Sequence, residues 1–248
     1  MKCYFSSMKQ GFMKSMVVAA VATVSLFSSS VKADEAADRV LRGARYASTL
    51  QHQDLHGTMK KNGKKTPISL FLRGENIQFL YKTKKGDKRF HMRLKKDQFD
   101  LLDIVNGKTT KFSNKKIAEK INGTDLSYED LSMRFLYWNN SKLEGEEKIS
   151  GQKCHKVRLV NPDKTGDYRL VYVWVHKKYG SLMRVVGYNN AGKPLKKFQV
   201  TDVMKVGKEY TLKTMRVETV NPKTGKSSGV TYLEFQKPKK VAPTKPTR

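Results

Sequence analysis

Cysteine is nearly absent from this chain: its 248 residues hold two, Cys3 and Cys154. Cys3 falls in a segment that reads as a removable leader, and one remaining thiol cannot close an internal disulfide. That excludes a disulfide-stapled scaffold. His155 follows Cys154, but no further ligand pair of metal-site spacing accompanies them. His52 and His56 stand four apart, and Gly57 interrupts the helical face that a metal pair would share. The motif H-E-x-x-H and phosphate-cradling glycine loops are missing, and nothing else invites a reaction class. Glu144, Glu146 and Glu147 surround Gly145 and read as solvated charge in a loop. The expectation is a protein that is not an enzyme, with no metal and no cofactor.

Acid is also scarce, with 22 Asp+Glu against 50 Lys+Arg and a formal net charge of +28. Such a balance can mark a nucleic-acid binder. Here the aromatic residues lie in alternating strand patterns without an RNA- or DNA-reading motif, so no nucleic-acid partner is expected. Apolar runs are short as well. Residues 16–27 (MVVAAVATVSLF) form an uncharged run of 12, below the ~20 needed to span a bilayer as a helix. Lys2, Lys9 and Lys14 precede that run, and Val31 and Ala33 follow as small residues. This is the order of a secretory signal peptide, with cleavage after Ala33. Residues 1–33 hold four lysines and no acid, so the exported chain keeps a charge of +24. Its surroundings would then be the anionic headgroups, phosphates and polymers of a cell envelope. A merely solvated lysine surface is the other reading of the same charge.

What is present is mostly alternation. Residues 34–53 place Ala37, Val40, Leu41, Ala44, Ala47 and Leu50 at helical spacing. From residue 54 the period changes to two: Ile77, Phe79 and Tyr81 share one face, as do Phe90, Met92 and Leu94. Asn62-Gly63, Gly74-Glu75, Lys85-Gly86-Asp87 and Asn106-Gly107 punctuate these hairpins. One helical turn is expected near 114–120, and a helix from Ser127 to about Trp138. A second meander follows at 152–159, 168–176, 182–188, 196–204, 210–219 and 229–236, with Pro/Gly turns at 161–166 and 221–225. Pro238, Pro243 and Pro246 among lysines make 237–248 a solvated tail. The expected fold is α+β: an incomplete antiparallel β-barrel, one large curved sheet of some ten strands over 34–236. Two to three helices would cover its concave face. A half-closed barrel of this kind leaves a space between sheet and helices.

The element joining the two meanders, residues 123–131 (GTDLSYEDL), reads as a helix entrance. Ser127 is placed as N-cap with Asp130 three residues on, a capping-box variant. Tyr128, Leu131, Phe135 and Trp138 then recur on one helical face.

The same nine residues resemble the "GsDfSYeDl" element of the outer-membrane lipoprotein-sorting proteins, relatives of the LolA and LolB lipoprotein carriers. A second similarity runs from Val173-Trp174-Val175-His176-Lys177-Lys178 through Leu182-Met183-Arg184 to 188–196 (YNNAGKPLK). This chain has His176 where an acid is usual there and Asn189 where Asp is frequent. The resemblance implies a half-barrel lidded by helices, resident in the periplasm, that shields the acyl chains of lipoproteins or similar lipids. Gly123, Asp125, Ser127, Tyr128 and Asp130 carry over as motif positions with a structural role, capping and orienting the lid helix.

The candidate cavity lining comprises Ile77, Phe79, Tyr81, Phe90, Met92, Leu94, Tyr172, Trp174 and Met183 from the strands and Phe135 from the lid. Burial of acyl chain contributes about 0.8 kcal/mol per methylene, so a partly sequestered chain gives useful affinity without any catalytic group. The expected partners are lipoprotein acyl chains or other lipids, an inner-membrane donor, an outer-membrane acceptor and an anionic membrane surface, with the protein a monomer. Two alternatives stay open. One is an envelope stress sensor or an accessory protein of a lipid exporter with the same fold. The other is a basic peripheral protein that binds anionic envelope polymers.

Overall fold

The computed structural model describes residues 34–49, 54–73, 76–83, 86–95, 98–105, 107–206 and 209–238. The signal-peptide reading of 1–33, His52 and the tail from 239 onward lie outside them.

Helix α1 (Glu35–Thr49) buries the small face Ala37, Leu41 and Ala44. Asp34 caps it: Oδ1 accepts from the Ala36 amide at 3.0 Å, and Oδ2 accepts from the amide of Leu143 in a later strand at 2.9 Å. Six strands follow: β1 (Asp54–Lys61), β2 (Lys64–Arg73), β3 (Asn76–Thr83), β4 (Gly86–Lys95), β5 (Gln98–Val105) and β6 (Lys108–Lys111). Asn62 and Gly63, at φ 48° and 74°, make the first hairpin turn, the left-handed pair that a two-residue hairpin requires. The turn expected near 114–120 is a 3-10 turn at Asn114–Lys116.

The central helix is shorter than its apolar spacing suggests. Helix α2 covers only Tyr128–Ser132, because Met133 takes a left-handed conformation at φ 44°. A 3-10 turn, Arg134–Tyr137, completes the segment and keeps Phe135 and Leu136 buried. The second meander holds seven strands: β7 (Asn140–Ile149), β8 (Gln152–Val160), β9 (Leu170–His176), β10 (Leu182–Tyr188), β11 (Pro194–Val206), β12 (Glu209–Val220) and β13 (Ser227–Phe235). Glu144, Glu146 and Glu147 therefore stand in β7, which is a strand and not the loop their composition suggested. Glu147 accepts from Lys156 Nζ at 2.7 Å and from Trp174 Nε1 at 2.8 Å.

All thirteen strands form one antiparallel sheet in the order β6-β5-β4-β3-β2-β1-β13-β12-β11-β10-β9-β8-β7. The edges β6 and β7 do not meet, so the barrel is open. Its halves join where β1 pairs with β13, with Gly57 opposite Phe235. A Cβ at Gly57 would lie 2.0 Å from the Glu234 carbonyl oxygen, so this seam admits only glycine. Residues from both halves converge on one apolar core with α1 and α2, including Ile77, Phe79, Leu233 and Phe235. The sheet thus curves around its helices, an incomplete barrel as expected. Among the described residues no helix is long and apolar enough to cross a membrane.

Candidate functional site

A cavity of about 100 Å3 lies between the concave sheet and the helical segment. Its walls come from both half-sheets: Ile68, Leu70 and Leu72 of β2, Ile77 and Phe79 of β3, and Met92 of β4 face Val185, Phe198, Val200, Leu212, Met215 and Leu233. Leu131, Met133, Phe135 and Leu136 cover it from the helical side, and Arg45 and Tyr137 stand at its border. The lining is almost wholly apolar. At this volume it is smaller than the roughly 300–1,000 Å3 usual for small-molecule sites.

Of the sequence-derived lining, Ile77, Phe79, Met92, Phe135 and Met183 border the cavity. Tyr81 and Phe90 share the concave face but are packed solid. Tyr81 bonds the Tyr128 hydroxyl, and Phe90 lies 5.1 Å from Phe112 and 5.3 Å from Tyr128, ring centroid to centroid. Tyr172 and Trp174 require correction. The inward residues of β9 are Val171, Val173 and Val175, and strand alternation sends Tyr172 and Trp174 to the opposite face. There they meet Lys156, whose Nζ lies 5.2 and 5.4 Å from their ring centroids. Met183 sits at a pairing irregularity between Leu182 and Arg184 and also touches that outer cluster. The side chain of Leu94 lies outside the described residues. Both faces of β9 are apolar, so hydrophobicity alone did not distinguish them; the regular alternation of Ile68, Leu70 and Leu72 was a usable signal.

The motif at 123–131 frames this cavity through buried charge. Ser127 caps α2: its hydroxyl accepts from the Asp130 amide at 3.2 Å, while Asp130 Oδ2 accepts from the Ser127 amide at 2.7 Å. Asp130 does more than cap. Its Oδ2 also receives Lys196 Nζ at 2.6 Å, and Oδ1 receives the Tyr168 hydroxyl. Asp125 is not a cap at all. It ties the motif to the sheet, accepting from Lys61 Nζ at 3.0 Å and from the hydroxyls of Thr219 and Thr231 at 2.9 Å each. Burial pushes the Asp125 carboxyl up, and these bonds together outweigh it and leave the group below its ordinary pKa. Gly229 leaves room for that carboxylate, since a Cβ there would approach Asp125 Oδ1 to 2.5 Å.

Glu129 is the functional-looking group that sequence reasoning passed over. Its side chain is 1% exposed and receives Arg134 at 3.1 Å and the Asp167 amide at 2.9 Å. Arg134 continues to the Thr165 hydroxyl at 2.6 Å and the Thr165 carbonyl. Burial pushes Glu129 up to about 7, against the pull of Arg134 and of the Asp167 amide. Because its folded pKa lies above the ordinary 4.5, its stabilising contribution is complete below about pH 4.5. That contribution is lost as pH rises through 7. Chemical denaturation from pH 5 to 8 should show a loss of about 3 kcal/mol that is missing in Glu129→Gln. Parallel pH profiles for the two proteins would refute this.

A family model described as "Uncharacterized protein" matches residues 76–244. The chain belongs to that family. No curated protein matches it. Solved structures fix the fold. A domain assigned to the outer membrane lipoprotein-sorting proteins of Vibrio parahaemolyticus aligns with TM-score 0.63 at 18% identity, covering 81% of this chain and 90% of that one. A LolA superfamily protein from Nitrosomonas europaea aligns with TM-score 0.59 at 14% identity, covering 83% and 94%. A DUF1329 family protein from Desulfovibrio piger gives 0.60 at 18%, covering 83% and 92%. The fold is therefore that of the LolA-type half-barrels, as the motif resemblance implied.

Cys154, His155 and His56 are strand residues of this LolA-type fold. Cys154 is buried beside Trp174 and Ile149. His155, its strand neighbour, points to the other face, so the two cannot form a pair. His56 Nδ1 bonds the Ser69 hydroxyl at 2.9 Å. Among the described residues no group of three or more His, Cys, Asp or Glu is arranged to hold a metal.

Proposed function

We propose that this LolA-type half-barrel is a periplasmic, non-catalytic, monomeric carrier that shields acyl chains of lipoproteins or similar lipids in the cavity. The carrying observation is an apolar space enclosed between both half-sheets and the helical segment. Cargo would come from an inner-membrane donor and pass to an outer-membrane acceptor of higher affinity, with residues 1–33 directing export.

The lid expected at α2 does not fit as the moving part. The buried ion pair Asp130–Lys196 holds α2 against β11, and Glu129 and Arg134 bond the Asp167 amide and the Thr165 hydroxyl of the loop before β9; the buried pair would have to be broken in a low-dielectric setting. Helix α1 is the weaker closure. Its described inward face is small, with Ala37, Leu41 and Ala44 buried and Val40 half-buried against the same core. Its contact with the helical segment includes Arg45 Nε donating to the Leu136 carbonyl at 2.8 Å and the guanidinium 4.9 Å from the Tyr137 ring centroid. Displacing α1 would uncover the border at Arg45 and Tyr137 and let a chain extend into the apolar space, each buried methylene contributing about 0.8 kcal/mol.

Two measurements test this. Mass spectrometry of solvent extracts from the purified protein should find co-purified lipid or lipopeptide, and a fluorescent fatty-acid probe should be taken up saturably. A clean extract together with no probe uptake refutes the carrier reading.

A further inference from the structure

We propose that the border of the cavity is a docking rim for the surface of an anionic phospholipid bilayer, an inference that rests on the carrier reading above. Of the four exposed tyrosines among the described residues, the three most exposed are Tyr46 at 69%, Tyr179 at 50% and Tyr210 at 48%. Each stands within three residues of the cavity lining, Tyr46 beside Arg45, Tyr179 before Leu182 and Tyr210 before Leu212. They belong to three separate segments that meet at one end of the sheet. The Tyr179 and Tyr210 rings lie 5.8 Å apart. Gly180 abuts α1, so that a Cβ there would be 3.0 Å from the Gly43 carbonyl oxygen and 3.7 Å from Ala47 Cβ, on the turn that carries Tyr46. Val203, 44% exposed, is the cross-strand partner of Leu212 and adds apolar surface to the same border.

Cations accompany the rings. Lys178 Nζ lies 5.3 Å from the Tyr179 ring centroid, and Lys205 is the cross-strand partner of Tyr210. Both lysines are exposed, and neither is paired with a carboxylate among the described residues. Tyrosine rings prefer the headgroup level of a bilayer, with one end apolar and one end wet. Lysine stems lie along apolar surface while their charge reaches for phosphate. A chain of net charge +28 is drawn to anionic lipid over its whole surface, and the rim makes that attraction directional. Docked this way, the cavity opens onto the headgroups, and an acyl chain reaches it without crossing water.

The test uses flotation of the exported chain with vesicles of phosphatidylglycerol and phosphatidylethanolamine, and with phosphatidylcholine alone, at physiological salt. The protein should float with the anionic vesicles only. The combined variant Tyr46→Ser, Tyr179→Ser, Tyr210→Ser should bind at least ten-fold more weakly, and Lys178→Gln with Lys205→Gln about five-fold per lysine. Circular dichroism and fatty-acid probe uptake in vesicle-free solution should be unchanged in both variants, since all these side chains are exposed. No flotation of the parent protein overturns the rim and leaves an acidic protein partner as the reader of this surface. Flotation undiminished by the tyrosine substitutions also overturns it, as binding by diffuse charge alone. Flotation without probe uptake refutes the carrier instead, so the two failures are distinguishable.

Discussion

Asp130→Ala should cost the fold about 3–5 kcal/mol, the loss typical of removing one partner from a buried ion pair. The side chain of Asp130 is fully buried and that of Lys196 is 9% exposed. Without the carboxylate, the ammonium is left in the interior without its ion-pair partner, and only the unbonded Asp167 charge acts on it. Losing the cap bond to the Ser127 amide and the bond from Tyr168 adds to the deficit. The large term is the orphaned charge, because a lost N-cap side chain alone costs about 1 kcal/mol. Urea unfolding at pH 7 measures it. The double variant Asp130→Ala, Lys196→Met should recover part of the loss, since it removes both charges together. A single-variant loss below about 1 kcal/mol would show that the motif is not held by this pair.

Filling the cavity should abolish cargo uptake while sparing the fold. Leu70 and Met215 border it from opposite half-sheets and are only half-buried, so a larger ring can enter the void with little displacement of neighbours. Leu70→Trp with Met215→Trp should weaken fatty-acid probe binding ten-fold or more. Displacing about two methylenes from the cavity already removes that much affinity at about 0.8 kcal/mol each. Thermal stability should hold or rise. Tyr172→Ala, on the outer face, should leave uptake unchanged. Were Tyr172→Ala to abolish binding and the tryptophans to do nothing, the lipid would sit on the outer aromatic cluster instead.

Much of the sheet was legible because its strands alternate cleanly. Leu182–Tyr188 was read with both boundaries correct, and the other five strands of the second meander fall within two residues of their observed ends. Strand β7 was not legible. It is an edge strand with Glu144, Glu146, Glu147 and Gly145, and it buries only Ser141 and Ile149. Charge on an edge protects against wrong pairing and hides the strand from a hydrophobicity pattern. The break in the central helix was invisible for another reason: Met133 adopts φ 44° without the glycine or asparagine that signals such a stop. At the site, the cap of Ser127 and Asp130 was read correctly from spacing. The tie from Asp125 to Lys61, Thr219 and Thr231, and the burial of Glu129, depend on strands distant in sequence, and local pattern carries no trace of them.

The seam between β1 and β13 sets the order in which this molecule can assemble. Residue 57 waits for residue 235, so the front half-sheet keeps β1 as an open edge until nearly all of the chain is available. Contacts of such long range slow folding, because loop closure must precede any gain from pairing. The same Gly57 that lets two backbones touch makes the joining of the two half-sheets wait for β13.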